Sequence, residues 1–182
     1  MIEYSDKELL EKFADEATRN YAFNLLVKKY QEKLYWHVRR MVVDHDDADD
    51  LVQDIFVKVW KSLEGFREDA KLYTWMYRIA TNECITFLNK KKKRIFVPLV
   101  DVEAQLSKKM EHDPLFDGDK IQLKLQQAIL TLPEKQRVVF HLKYYDEMKY
   151  EDMSEVLGTS VGALKASYHH AVKKIEDYMK AL

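Results

Sequence analysis

From residue 21 onward the apolar side chains fall into step: Phe23, Val27, Tyr30, Leu34, Val38 and Met41 recur three and four residues apart. A half-buried strand needs alternation in twos, so this spacing predicts a helix with one buried face. Ala48, Val52, Ile55 and Val59 repeat the pattern within 46–63, and a third long helix is predicted over 72–88. Ahead of them, Ser5-Asp6-Lys7-Glu8 is a capping-box pattern that opens a short helix to about Phe13. Four glycines and three prolines in 182 residues leave few turns for a sheet protein. The expectation is an all-α fold.

The pattern is interrupted once. The stretch after Asn89 opens with Lys90-Lys91-Lys92-Lys93-Arg94 and holds Pro98, Pro114 and Gly118. Its apolar residues keep no sustained period, although 102–110 has room for a loose helical turn or two. Periodicity resumes at Ile121 and runs to the end. This predicts two small helical domains, 1–89 and 121–182, joined by a flexible linker over 90–120.

A net charge of −1 hides an uneven distribution. Residues 1–88 carry thirteen basic and seventeen acidic side chains, whereas 121–182 carry nine and eight. A protein gripping DNA alone through many phosphates is usually more basic. Any DNA contact therefore calls for help from a partner. The single cysteine, Cys84, excludes an internal disulfide and a cysteine-only zinc site. No apolar run nears the roughly 18 residues of a membrane span, and no leader pattern opens the chain. The expectation is a soluble, cytoplasmic protein without membrane insertion.

The most specific local signal lies over 150–171. A short helix with Met153, Val156 and Leu157 inward is followed by Gly158, which tolerates the positive φ of a tight turn. Ser160 is a sound N-cap for a second helix with Val161, Leu164, Tyr168 and Val172 inward. These are the parts of a helix-turn-helix. Outward on the second helix lie Gly162, Ala163, Lys165, Ala166, Ser167, His169 and His170, none of them acidic, which suits phosphates and base edges. A helical hairpin with a solvated face is the plainer alternative. His169 and His170 diverge by about 100° around a helix and have no partner at ligand spacing, so no metal is expected.

Two other helices stand out. In Asp46-Asp47-Ala48-Asp49-Asp50-Leu51-Val52-Gln53-Asp54, the residues Asp47, Asp50 and Asp54 line one face. The helix dipole explains acids in the first turn but not Asp50 and Asp54. A calcium loop would need a glycine that the segment lacks. An acidic stripe for a basic protein partner fits better. The 72–88 helix crowds Tyr73, Trp75 and Tyr77 at its start and gathers Thr74, Arg78, Thr81 and Asn82 on one side. Aromatics beside a basic and amide face serve single-stranded bases, although bundle core is the ordinary use of such rings.

These motifs, in this order, resemble the extracytoplasmic-function (ECF) group of bacterial sigma factors. Asp47-Ala48-Asp49-Asp50-Leu51-Val52-Gln53-Asp54-Ile55-Phe56-Val57-Lys58-Val59-Trp60 is similar to the family's polymerase-clamp helix. Tyr73-Thr74-Trp75-Met76-Tyr77-Arg78-Ile79-Ala80-Thr81-Asn82-Glu83 is similar to its minus-ten helix. Leu132-Pro133-Glu134-Lys135-Gln136-Arg137 and the helix-turn-helix resemble its fourth region, which reads the minus-thirty-five element. The resemblance covers about four-fifths of the chain.

It implies a non-enzymatic factor that binds core RNA polymerase, through the β′ clamp and the β flap, and promoter DNA. The implied clamp contacts are Asp47, Asp50, Gln53 and Asp54. Phe66, Arg67, Lys71, Thr74, Arg78 and Asn82 would capture an unstacked base of the melted minus-ten strand. Ser160, Gly162, Ala163, Lys165, Ser167, His169 and His170 would face the minus-thirty-five element. An anti-sigma partner is a further implication, and no cofactor is implied. The chain departs from the family in one place. Many relatives read Lys-Ser-Arg-Leu-His-Arg where this one has Lys165-Ala166-Ser167-Tyr168-His169-His170, so two arginines give way to Ser167 and His170. Permanent charge and bidentate guanine reading go with them. A stand-alone helix-turn-helix regulator and a purely protein-binding pair of bundles are the competing readings.

Overall fold

The computed structural model describes residues 4–95, with side chains as far as 91, and residues 120–181. Among these residues every regular element is helical. The first domain contains α1 (Asp6–Ala14), α2 (Arg19–Val42), α3 (His45–Ser62) and α4 (Leu72–Ile95), with one 3₁₀ turn at Leu63–Gly65. The second contains α5 (Lys120–Leu130), α6 (Glu134–Phe140) with a π-type turn at His141–Tyr145, α7 (Tyr150–Leu157) and α8 (Val161–Lys180). The predicted linker, with its loose turn over 102–110, lies mostly outside the described residues.

Two helices of the first domain start at side-chain caps. At α1 the Ser5 hydroxyl accepts from the Glu8 amide and the Glu8 carboxylate accepts from the Ser5 amide at 2.7 Å, closing the capping box. At α3 the cap is Asp44, whose side chain accepts from the Asp47 amide. Between α2 and α3 the chain reverses at Val43, which sits at φ +69°. That region is unfavourable for a β-branched residue. The Val43 amide donates to the Arg39 carbonyl, and the Arg39 guanidinium donates back to the Val43 carbonyl. The corner is therefore held from both sides.

One boundary differs from the sequence expectation. Helix α4 continues through Lys90–Arg94 to Ile95, so the basic run belongs to the helix and not to the linker. Lysine and arginine are good helix formers, no breaker precedes Pro98, and cations suit a helix C-terminus. An apolar period records only the burial of one face. It does not mark where the helix ends.

Leu34, Val38, Ile55, Val59, Met76, Ala80 and Cys84 are fully buried where α2, α3 and α4 meet. A smaller cluster of Ala128, Ile129, Leu132, Phe140, Ala171 and Ile175 centres the second domain. The two domains also share a core. Val138, Val139, Leu142, Met148, Met153, Val156 and Leu164 belong to the same buried cluster as the first domain's residues. Helix α7 packs along α4, and the π-type turn packs against α2.

Candidate polymerase and nucleic-acid interface

On α3 the buried stripe of Ala48, Leu51, Ile55 and Val59 turns the opposite face to solvent. There Asp50, Gln53 and Asp54 are exposed together. Asp47 is different: it is half-buried and takes an ion pair from Lys91 of α4. The stripe open to a partner is therefore Asp50, Gln53 and Asp54, with Asp47 already engaged. Sequence reasoning also passed over Val57, half-exposed and one turn beyond Asp54. An exposed apolar side chain at the end of a polar stripe is the pattern of a binding face with a small dry centre. Its i+3 spacing from Asp54 was the available signal.

The 63–71 loop and α4 form a second face. Phe66 is partly buried and its ring lies 5.1 Å from that of Trp75, centroid to centroid. Arg67 is exposed, and so are Arg78 and Asn82, one helical turn apart. Thr74 is not: it is 1% exposed, and its hydroxyl has no hydrogen-bond partner. Thr81, expected on the same side, is fully buried and meets His37 Nε2 at 3.0 Å. The polar positions of α4 therefore divide between Arg78 and Asn82 outside and Thr74 and Thr81 inside. Lys71 Nζ reaches Asp152 of α7 at 2.8 Å. Tyr77 is likewise buried, 4.9 Å from the His37 ring, and burial pushes its hydroxyl pKa well up.

The helix-turn-helix forms as its residues specify. Gly158 ends α7 at φ +60° and ψ +35°, its amide bonded to the Ser154 carbonyl. The Ser160 hydroxyl accepts from the Ala163 amide at 3.3 Å. Leu164, Ala171 and Ile175 are buried on α8, with Tyr168 and Val172 partly so. Gly162, Ala163, Lys165, Ala166, His169 and His170 are exposed and Ser167 partly so, which makes one uncovered face without a carboxylate. Lys165 Nζ rests 5.7 Å from the centre of the Tyr150 ring. Ser160 is occupied as a cap. Arg137 of the Leu132–Arg137 motif works inside the fold, donating to the carbonyls of Leu130 and Leu132 at 2.7 and 3.0 Å. That closes the end of α5 onto α6.

Comparison with known proteins gives this arrangement its class. The family model for sigma-70 region 2 matches residues 26–94, and that for sigma-70 region 4 matches residues 122–175. The fold and the face order are those of a two-region sigma factor. More particularly, the chain belongs to the ECF group of RNA polymerase sigma factors. It is 31% identical, over its whole length and 97% of the relative, to the RNA polymerase sigma-H factor of Pseudomonas aeruginosa. It is 30% identical to the ECF sigma factor SigW of Bacillus subtilis, over 88% of this chain and 90% of that one. The ECF sigma-E factor of Escherichia coli matches equally well, at 30% over 88% of each. Among solved structures, CnrH in complex with the cytosolic domain of CnrY superposes with a TM-score of 0.70 at 24% identity, covering 97% of each chain. RpoE of Bartonella quintana, in complex with the anti-sigma factor NepR, gives 0.68 at 20%, covering 87% of this chain and 96% of that one. At these identities the likeness is one of fold.

Proposed function

We propose that this chain directs core RNA polymerase to promoters as a sigma factor, recognising promoter DNA and supporting strand opening. The observation that carries the reading is a pair of uncovered faces of opposite character. The α3 face of Asp50, Gln53 and Asp54 is acidic, and the α8 face from Gly162 to His170 holds no acid. One suits a basic protein surface such as the polymerase β′ clamp. The other suits duplex DNA. Between them, exposed Arg67, Arg78 and Asn82, with Phe66 against Trp75, offer charge, amide and ring contacts to an unstacked base of the minus-ten strand.

On this reading residues 1–89 act as region 2 and residues 121–182 as region 4, with the β flap receiving the second domain. The polymerase supplies most of the phosphate contacts that a chain of net charge −1 lacks. No catalytic group is assigned, the place of action is the cytoplasm, and an anti-sigma factor is a natural antagonist. Among the described residues no helix is long and apolar enough to cross a membrane.

Transcription from genomic fragments by core polymerase, with and without this chain, tests the reading. Discrete transcripts that depend on the chain are expected, and the same transcript pool in both reactions would refute it.

A further inference from the structure

We infer that α8 grips DNA through a titratable face: His169 and His170 take up protons against duplex phosphates, so the hold tightens as the solution turns acidic. The inference rests on the sigma reading above, which turns this face toward the minus-thirty-five duplex. It starts from how little permanent charge the face carries. Between Ser160 and Val172 the only permanently charged side chain is Lys165, and its ammonium rests 5.7 Å from the centre of the Tyr150 ring. Gly162, Ala163 and Ala166 are small and exposed, and a Cβ added at Gly162 would meet open space. A duplex can therefore come close to the helix here. His169 and His170 follow Gly162 and Ala163 by seven residues each, two turns along the same face. Both rings are exposed, with centroids 5.9 Å apart and planes inclined at 60°.

The charges around the rings are sorted by sign. Within one turn on α8 their charged neighbours are Lys165, Lys173 and Lys174, all cations. Glu176 and Asp177 stand two turns further on, about 10 Å along the axis. Glu176 is paired there with Lys180 at 3.9 Å. The helices packed on α8 are α5, α6 and α7. Helix α5 brings Lys120 and Lys124, and α6 brings Glu134, Lys135 and Arg137, of which Arg137 donates to the Leu130 and Leu132 carbonyls. The α7 carboxylates of Asp152, Glu155 and Glu151 act on Lys71 of the first domain. The counter-charge suited to these rings is that of a duplex. Histidine is the side chain whose ordinary proton exchange falls between pH 5 and 8. A neutral imidazole offers one donor and one acceptor, whereas a protonated one offers two donors and a charge. Phosphate oxygens and the N7 and O6 edge of guanine only accept, so the protonated ring is the form that fits them. The linkage is reciprocal, and a bound duplex keeps the proton on the ring.

Salt dependence counts the cations set against phosphates, since the slope of log affinity on log salt is about −0.9 per contact. The test titrates a rhodamine-labelled duplex of mixed sequence with the full-length chain, from about 20 to about 200 mM salt, at pH 8.0 and 5.5. H169Q/H170Q removes both protonation sites, H169R/H170R fixes the charge at both pH values, and H45Q is the control at an exposed histidine of α3. On acidification the wild type and H45Q should steepen by about 0.9 to about 1.8 more than H169Q/H170Q, one to two phosphate contacts. H169R/H170R should show the steep slope already at pH 8.0. A gain over H169Q/H170Q of less than about 0.9 overturns the inference. So does a shallow slope for H169R/H170R at pH 8.0, or no binding by the wild type at pH 5.5 and the lowest salt. Chain-dependent transcripts at pH 8.0 report on the sigma reading separately, since they need core polymerase, which the titration leaves out.

Discussion

His141 makes the account testable by pH. The ring lies at the start of the π-type turn, 1% exposed, and neither nitrogen has a hydrogen-bond partner. Burial holds its pKa well below 6.5, and His37, Arg137 and Arg40 push in the same direction. In the unfolded chain the imidazole takes up a proton as pH falls through about 6.5, while the folded protein refuses it. The unfolded state then binds more protons, so stability is complete above about pH 6.5 and falls on acidification until the depressed folded pKa is reached. The folded ring stays neutral as the unfolded one charges, so the ring lowers stability between pH 7.5 and 5.5 by on the order of 1 kcal/mol. His141→Leu abolishes this component and breaks no hydrogen bond. Urea unfolding of both proteins at the two pH values, compared through midpoint and slope, measures it. The variant should lose less stability than the wild type on acidification, by on the order of 1 kcal/mol. Equal losses would show that His141 accepts its proton in the folded state, and the reasoning from burial would fail.

Further outcomes are expected at the other faces. Asp50→Lys with Asp54→Lys should weaken capture by core polymerase at least tenfold while leaving the helical circular dichroism unchanged, since both carboxylates are exposed. Lys165→Ala with Ser167→Ala should redistribute transcription among promoters, read by sequencing the transcripts. An unchanged promoter set would remove α8 from base reading. Gly158→Ala should destabilise the second domain by about 1 kcal/mol in urea, because the φ of +60° is unfavourable to a Cβ although space around it is open. Leu164→Ala, at a 1% exposed site of α8, should cost about 2–5 kcal/mol in the same assay.

The helices were legible because burial leaves a period. Phe23 to Met41 and Ala48 to Val59 each point one face inward, and the structure buries Leu34, Val38, Ile55 and Val59 completely. The helix-turn-helix was legible because Gly158 and Ser160 perform local backbone tasks that need no distant partner. Local reasoning stopped where a residue's state depends on another domain. Lys71 reads as a free loop cation, and only the packing of α7 pairs it with Asp152. Thr74 and Arg78 are one turn apart, yet one is buried and the other exposed. His37 carried no signal, since its partner Asp146 lies 109 positions away. The basic run deceived for the opposite reason. Lysines extend a helix without leaving an apolar period, so α4 outlasts its own pattern.

The central claim is that these two modules hold promoter DNA specifically only when mounted on polymerase. Fluorescence anisotropy decides it, using a labelled duplex bearing a promoter identified by transcript sequencing and a scrambled duplex as control. The chain alone should bind both equally and weakly, and core polymerase should make binding to the promoter at least a hundredfold tighter than to the scramble. Tight discrimination by the chain alone, unimproved by polymerase, would contradict the account and mark the protein as a stand-alone regulator.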